Sequence, residues 1–300
     1  MTPIHRLLAI LVAAIWGVNF LAFHASLEQF PPFFLAAMRW TLIAIPTLIF
    51  IPRPTVPVRF LLGYGVGFGV LQFLFLYWGM AAGMPPGLAS LVLQCSAPFT
   101  VILAALFTGE LLSGRRIFGI ALATFGLAVV GSQRTGITEL WPFLLVILGG
   151  LGWAIGNLAS RAAKPESPLH FTLWMTVVPP LPMLLVAFIW EGPDRIGASL
   201  LTMADAHWAI AGLLYTCLLG TVVGSGIWTW LLSRYQASAV APFSMLVPVF
   251  GLGAAGLVLG ERVNATEFVG CILVLLGVII GSRVSIAKHR RPTSTRVRQT

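Results

Sequence analysis

Long apolar stretches follow one another along almost the whole chain, and this pattern constrains the fold more than any other feature. Of the 300 residues, 58% are hydrophobic and only 9% are charged, whereas a soluble domain carries about 25% charged residues. A hydrocarbon core about 30 Å thick is crossed by roughly 20 helical residues. The stretches have this length and are separated by short polar connectors, so the chain is expected to cross a membrane many times.

The stretches are expected to be helices rather than strands. Lipid offers no hydrogen-bond partners, so each span must satisfy its own backbone as a helix or within a closed barrel. Barrel strands alternate apolar and polar residues, but Leu7 to Ala22 and Phe268 to Gly281 are continuously apolar. The sequence therefore predicts an all-α membrane protein with ten transmembrane helices. The predicted spans are 7–27, 31–51, 60–82, 85–108, 114–132, 139–161, 169–190, 207–233, 237–259 and 264–283.

The basic residues indicate how these helices are oriented, because Lys and Arg are enriched in cytoplasmic loops. With a cytoplasmic N-terminus, 14 of the 18 basic residues fall on the cytoplasmic side. Arg134, Arg195 and Arg262 fall on the opposite side, and Arg39 lies within a span. Both termini are therefore predicted to be cytoplasmic, in a multi-pass protein of the cytoplasmic (inner) membrane. The basic tail, 284–300, is interpreted as an anchor beside anionic lipid headgroups rather than as a nucleic-acid site.

A weak internal repeat divides the chain into two halves. The stretch LFTGELLSGRRIFGIALATFG, which begins at Leu106, resembles LVLGERVNATEFVGCILVLLG, which begins at Leu257. Each copy would hold five spans, and an odd number forces the second copy to enter from the opposite face. The predicted units are residues 1–135, an inverted second repeat of residues 136–283, and the tail. Inverted repeats are typical of alternating-access transporters, which bind their substrate near the midplane between the repeats.

Several short motifs follow one another in a fixed order along these spans. They are WGVNF from Trp16, Arg39 with Trp40, GMPPGLASLVLQ from Gly83, Gly109-Glu110, VAPFSMLVPVFGL from Val240, and GER from Gly260. In these motifs the chain resembles the EamA family of the drug/metabolite transporter superfamily, and in particular bacterial exporters of cysteine, O-acetylserine and aromatic amino acids. The resemblance covers residues 4–283. It implies two inverted five-helix repeats around a central cavity, and small metabolites as substrates.

Arg39 is the sharpest candidate for contact with a substrate, because charged groups inside spans are costly and mark functional sites. It lies about 12 Å deep in the second predicted span, and no span carries an Asp or Glu at that depth. One hypothesis is that Arg39 faces a cavity and attracts a carboxylate. The alternative is a structural arginine that binds helix ends or extends towards the membrane surface.

Other polar and aromatic residues recur at helical spacing. Trp16 and Asn19 share a helix face, as do Trp153 and Asn157 in the matching span of the second half. A flat ring beside an amide suits a small zwitterion or an aromatic substrate. Further cavity candidates are Gln72, Tyr77, Trp78, Ser90, Gln94 and Ser244, and the candidates for helix kinks or gating are Pro98 and Pro248. The alternative for all of them is helix–helix packing with interhelical hydrogen bonds.

Several kinds of chemistry have no support in the sequence. The nine acidic residues lie in connectors or at span ends, so cationic drugs, which usually need a deep carboxylate, do not fit. The three cysteines fall in predicted spans and are interpreted as apolar packing residues. The sequence contains no Walker A loop, no catalytic Ser/His/Asp grouping and no metal-spaced cluster. We therefore expect no catalytic residues, no metal, no cofactor and no obligate protein partner.

The expected function is secondary transport without ATP, with export of small metabolites, in particular amino acids and related compounds, by alternating access. The expected partners are the transported small molecule and membrane lipid. Another metabolite or drug carried by the same scaffold is the alternative within transport. A passive channel and a membrane-embedded enzyme are the alternatives from other classes. An enzyme would need a polar catalytic cluster inside the spans, and the sequence has none.

Overall fold

The computed structural model describes residues 1–108, 112–133, 137–235 and 237–282. Within these ranges the chain is helical and has no strand. Nine of the described helices are long and apolar enough to cross a membrane, and Ala265–Gly281 is a shorter apolar helix. The prediction of an all-α membrane protein with ten helices is confirmed. Glu110, Arg134 and the basic tail lie outside the described residues.

The ten spans are numbered in chain order, and the connector between spans 7 and 8 carries two further helical elements. Spans 1 and 2 are Pro3–Leu27 and Pro32–Phe50, span 3 comprises Val58–Tyr64, Gly65–Gln72 and Phe73–Ala81, and span 4 comprises Pro86–Val92, Leu93–Cys95 and Ser96–Thr108. Spans 5 and 6 are Gly114–Gly131 and Ile137–Ala163, and span 7 comprises Pro168–Met175 and Pro180–Trp190. Span 8 comprises His207–Tyr215, Thr216–Val223 and Gly224–Arg234, span 9 comprises Ala237–Val240, Ala241–Leu246 and Val247–Leu259, and span 10 is Ala265–Ser282. The connecting elements are Pro193–Leu201 and Met203–Asp205. We call the face at which span 1 begins the amino-terminal face, and the opposite face the distal face.

Local sequence signals explain where the spans begin. Proline occupies the first turn of spans 1, 2, 4 and 7, where its missing N–H costs nothing. The Thr2 side chain accepts a hydrogen bond from the backbone N–H of His5, so span 1 begins four residues before the predicted residue 7. Span 10 begins with a reciprocal capping box. Asn264 and Glu267 each accept a hydrogen bond from the backbone N–H of the other, at 2.8 and 3.0 Å.

The two halves exchange their first helices. Span 1 packs against spans 8 and 9 of the second half, and span 6 packs against spans 3 and 4 of the first half. We call spans 1, 8 and 9 the first bundle and spans 3, 4 and 6 the second bundle. Span 2 packs against span 7, and span 5 against span 10. Each contact thus joins equivalent helices of the two halves or has an equivalent contact in the other half, as expected for two related repeats.

Departures from α-helix also fall at equivalent places in the two halves. Spans 3 and 8 contain π-helical stretches at Gly65–Gln72 and Thr216–Val223. Spans 4 and 9 contain 3₁₀ stretches at Leu93–Cys95 and Ala241–Leu246. Pro98 and Pro248 follow these two stretches, and proline removes one N–H from the helical ladder. The predicted kink positions therefore lie where spans 4 and 9 change helix type.

Glycines allow the closest helix contacts in the molecule. A Cβ added to Gly126 of span 5 would lie 2.7 Å from the backbone N of Val274 in span 10. The same holds between spans 3 and 6, where a Cβ on Gly67 would lie 2.5 Å from the backbone N of Gly156. Small residues at a helix–helix interface let the backbones of membrane helices approach closely. Gly253 in span 9, by contrast, has nothing within 4 Å of its missing Cβ.

We expect Gly126→Ala to destabilise the protein by about 1–3 kcal/mol, because the added methyl group overpacks the contact between spans 5 and 10. Thermal unfolding of the purified protein in detergent measures the effect. Gly253→Ala is the matched control, and its melting temperature should stay at or above that of the wild type. Equal melting temperatures for the two variants would contradict the prediction.

Candidate functional site

Spans 4 and 9 face each other across the interface between the two bundles and touch at one end only. The distal part of span 4, Pro86–Val92, packs closely against the distal part of span 9, Val247–Leu259. At the limit of this contact, the Gln94 side-chain amide donates to the backbone carbonyl of Ser244 at 3.5 Å. Beyond that point, towards the amino-terminal face, the described parts of the two spans make no comparable contact. The two helices therefore diverge towards the amino-terminal face.

The exposure of side chains follows the same asymmetry. Residues of the distal half such as Phe23, Tyr77 and Leu88 are buried. Trp16, Trp228, Trp153, Thr100 and Ser244, on the other side of this closure, are partly exposed. The closed end of the bundle interface is thus the distal one, and the end towards the amino-terminal face is the more accessible.

Arg39 lies within the closed end, in a cage of aromatic rings. Its guanidinium carbon is 4.1 Å from the ring centroid of Phe73, 4.5 Å from that of Trp40 and 5.4 Å from that of Phe23. Only 4% of the residue is exposed. Cation–π contacts of this kind strengthen when the cation is desolvated, so the cage stabilises a charge that lipid would otherwise disfavour.

The polar contacts of Arg39 join the two halves of the chain. One terminal nitrogen donates to the Thr221 hydroxyl of span 8 at 3.0 Å, and the other lies 3.4 Å from the Tyr77 hydroxyl of span 3. The Arg39 Nε atom is buried and has no hydrogen-bond partner. Among the described residues, no carboxylate forms an ion pair with Arg39. A buried cation with a free donor and no counter-ion is well suited to an anion.

Trp16 and Asn19 both face the same turn of span 8. The Trp16 indole N–H donates to the Gly220 carbonyl at 2.9 Å, and a Cβ on Gly220 would lie 2.9 Å from Asn19 Oδ1. Asn19 is 8% exposed, and its Oδ1 atom has no partner. Because Gly220 precedes Thr221, this unpaired acceptor lies close to the Arg39 contact. The structure thus brings together Trp16, Asn19, Arg39 and Tyr77.

The remaining candidates lie in separate surroundings. Trp153 packs edge-on against Phe68, with ring centroids 6.0 Å apart. Asn157 donates to the Thr100 hydroxyl at 3.2 Å, which joins span 6 to span 4. Phe68 also packs against Phe73 of the Arg39 cage, with ring centroids 5.9 Å apart. Trp153 is thus separated from the cage by one ring, whereas Asn157 lies between spans 6 and 4.

Five further candidates line packed surfaces. Ser90 donates to the Gly87 carbonyl at 2.6 Å and faces Gly251 of span 9. Gln72 ends the π-helical stretch of span 3, and its buried Oε1 atom has no partner. Trp78 packs between Phe33 and Trp141, on the distal side of the cage. The Pro248 side chain is buried, as is that of Pro98.

Two carboxylates close the distal face. The oxygens of Glu191 accept from the backbone N–H groups of Phe33 and Phe34, at 2.7 and 2.9 Å. Those of Glu261 accept from Gly87 and Leu88, at 3.0 and 3.2 Å. Burial raises the pKa of the Glu191 carboxyl, although its two hydrogen bonds and the nearby Arg195 act in the opposite direction. Each carboxylate caps a helix that begins with two prolines.

Sequence reasoning missed several residues of the Arg39 site. Thr221 lies between Gly220 and Gly224, in a Gly-x-x-x-Gly spacing that is typical of helix packing rather than of a binding site. Phe23 and Phe73 are two of the 20 phenylalanines, and nothing in their spacing marks them out. The only available signal was the need of a buried Arg for partners, which does not say which residues supply them.

Comparison with known proteins identifies relatives along almost the whole chain. The model of the EamA-like transporter family matches residues 4–132 and again residues 140–283. A probable amino-acid metabolite efflux pump of Escherichia coli is 39% identical over 279 residues, which cover 91% of this chain and 93% of the pump. A probable terminal-alkyne amino-acid exporter of Streptantibioticus cattleyicolor is 28% identical over 298 residues, 95% of each chain.

A solved crystal structure supports the fold. It is 18% identical, covers 94% of this chain and 98% of its own, and superposes with a TM-score of 0.58. The two matches of the family model correspond to the two five-helix halves. The chain is a multi-pass membrane protein and belongs to the EamA-like transporter family.

Proposed function

We propose that the protein exports amino acids or closely related metabolites by alternating access, without ATP. The names of its relatives in E. coli and S. cattleyicolor support this substrate class. The observation that carries the proposal is the unequal closure of the bundle interface. Spans 4 and 9 meet at their distal ends and diverge at the other. Because the halves are related repeats, the opposite closure is available to the same chain.

The distribution of basic residues supports an orientation. With the amino-terminal face in the cytoplasm, Arg53, Arg59, Arg161 and Lys164 lie on the cytoplasmic side, as the positive-inside rule requires. In this orientation the end of the bundle interface where spans 4 and 9 are in contact faces the outside and the end where they diverge faces the cytoplasm, so an exporter would load its substrate in this conformation. We place the protein in the cytoplasmic membrane, with both termini inside.

Arg39 is the proposed anchor for the substrate carboxylate. The Cα of Arg39 lies about 10 Å from the distal end of span 2, and the contact of its guanidinium with Thr221 crosses from one half to the other. In the described conformation the guanidinium is a desolvated cation with no carboxylate counter-ion among the described residues, and the substrate approaches it from the amino-terminal face. A carboxylate then replaces the Thr221 hydroxyl with a stronger, charge-assisted partner. The unpaired Asn19 Oδ1 is a suitable acceptor for the substrate ammonium group.

The alternatives predict different behaviour. A passive channel gives flux that does not saturate, whereas a carrier saturates and shows counterflow. A carrier of cationic drugs would require a carboxylate at the depth of Arg39. Among the described residues, Arg39 is the charged side chain buried at that depth. Export of neutral or anionic metabolites agrees with that charge.

We expect purified protein in liposomes to show saturable counterflow of at least one neutral amino acid, and at least tenfold slower counterflow of its methyl ester. The ester lacks the anion that Arg39 would bind, and tenfold corresponds to about 1.4 kcal/mol, within the range of a charged hydrogen bond. A screen of the common amino acids, with the esters of those that are transported, measures both rates.

The same assay tests Arg39 directly. We expect Arg39→Gln to lower counterflow of the free amino acid at least tenfold and to remove its preference over the ester, with a monodisperse folded product. Arg59→Gln is the matched control, because Arg59 is exposed beside Phe60. Unchanged transport by Arg39→Gln would overturn the role of Arg39, and non-saturable flux through the wild type would overturn the carrier.

The orientation leads to a separate prediction. Thr55 and Asp205 are exposed in connectors on opposite faces. In intact bacterial cells, a membrane-impermeant maleimide should label Asp205→Cys and leave Thr55→Cys unlabelled until the cells are permeabilised. The reverse pattern would contradict cytoplasmic termini.

A further inference from the structure

Glu191 and Glu261 make the same contact at two places on the distal face. Each carboxylate comes from the second half of the chain and binds two consecutive backbone N–H groups in the first half. In each case these are the two residues that follow a Pro-Pro pair, Pro31-Pro32 or Pro85-Pro86. Neither helix has a side-chain cap of its own, so each depends on the distant glutamate to satisfy these donors.

The two contacts differ in what they join. Glu191 ends span 7 and binds the start of span 2, and these two spans also pack against each other along both halves of span 7. Glu261 follows span 9 of the first bundle and binds the start of span 4, which belongs to the second bundle. Spans 4 and 9 are the pair that meets only at its distal end. Only the Glu261 contact must therefore break when the distal end of the bundle interface opens.

The local chain is built to place the Glu261 carboxylate there. Span 9 ends at Gly260, which has a left-handed φ of 66° that favours glycine. This turn directs Glu261 towards span 4 immediately after the helix. Its partner Gly87 has no side chain, and a Cβ at that position would lie 2.9 Å from Glu261 Oε2. A side chain at residue 87 would therefore displace the Glu261 carboxylate from the backbone N–H groups that it binds.

We propose that the two hydrogen bonds from the start of span 4 to the Glu261 carboxylate stabilise the conformation in which the distal ends of spans 4 and 9 are in contact. We call this contact the latch. Release of the latch lets the distal ends of spans 4 and 9 separate. Glu191 makes the same kind of contact between spans 2 and 7, which stay packed against each other when the distal end of the bundle interface opens. The proposal rests on the alternating-access function, and its test reads conformation rather than transport.

Ser90 provides the reporter, because it is 2% exposed and lies under Gly251 of span 9. The reporter is Ser90→Cys in a background with the three native cysteines replaced by alanine. A membrane-impermeant maleimide is added to sealed vesicles that have the distal face outside. Glu261→Gln removes the charge and one of the two acceptors. We expect it to raise the rate of labelling at least fivefold.

Two further variants keep the test decisive. Glu191→Gln is the matched control, and we expect it to lower the melting temperature while the labelling rate stays within twofold of the parent. Gly87→Ala displaces the carboxylate from the other side and should reproduce the fivefold rise, even if Glu261→Gln folds poorly. Labelling within twofold of the parent in folded Glu261→Gln or Gly87→Ala, or an equal rise in Glu191→Gln, would overturn the latch.

Transport is measured separately in the same proteins. If the wild type shows no saturable counterflow while labelling responds as expected, the transport proposal fails and the latch stands. If counterflow is saturable while labelling does not respond, the latch fails and the carrier stands.

Discussion

Lipid cannot hydrogen-bond the peptide backbone, and this constraint governs where the chain can depart from regular α-helix. A freed N–H or carbonyl inside the membrane must be enclosed by protein or face water. The π-helical stretches of spans 3 and 8 and the 3₁₀ stretches of spans 4 and 9 lie in the helices that form the two bundles. Spans 2, 5 and 10, at the sides of the molecule, have no such stretch in their described residues. Among the described spans, irregular backbone thus occurs in spans 3, 4, 8 and 9 of the bundles and at 176–179, where span 7 is interrupted between its two helical parts.

The same solvent accounts for the polar contacts between the halves. Hydrophobic burial contributes little to association within lipid, so close backbone approach and hydrogen bonds must join the helices. The glycines of spans 5 and 10 supply close approach along a whole interface. The interface between the distal parts of spans 4 and 9 has instead the hydrogen bonds of Glu261 and Gln94. A few polar bonds are easier to exchange than a continuous glycine contact, and the proposed moving surface is the one that uses them.

Much of this arrangement could be predicted from sequence, because it depends on local or periodic signals. Apolar length predicted ten helices, and the depth of Arg39 marked it as unusual. The partners of Arg39 could not be predicted, since nothing in the sequence distinguishes the buried Phe23 and Phe73 from phenylalanines that face lipid. Glu261 was interpreted as a helix-end residue, and it does lie at the end of span 9. That it caps span 4, 174 residues away along the chain, follows only from the fold.

The π-helical stretch at Gly65–Gln72 changes how span 3 presents its side chains. A π-helix closes its hydrogen bonds between residues i and i+5, one residue more than an α-helix. Side chains beyond Gln72 therefore point in a direction that a helical wheel drawn from Val58 does not give. Phe73 and Tyr77 owe their position beside the guanidinium to this angular offset. A one-residue deletion within 65–72 would turn both rings away from the cation while leaving the span helical.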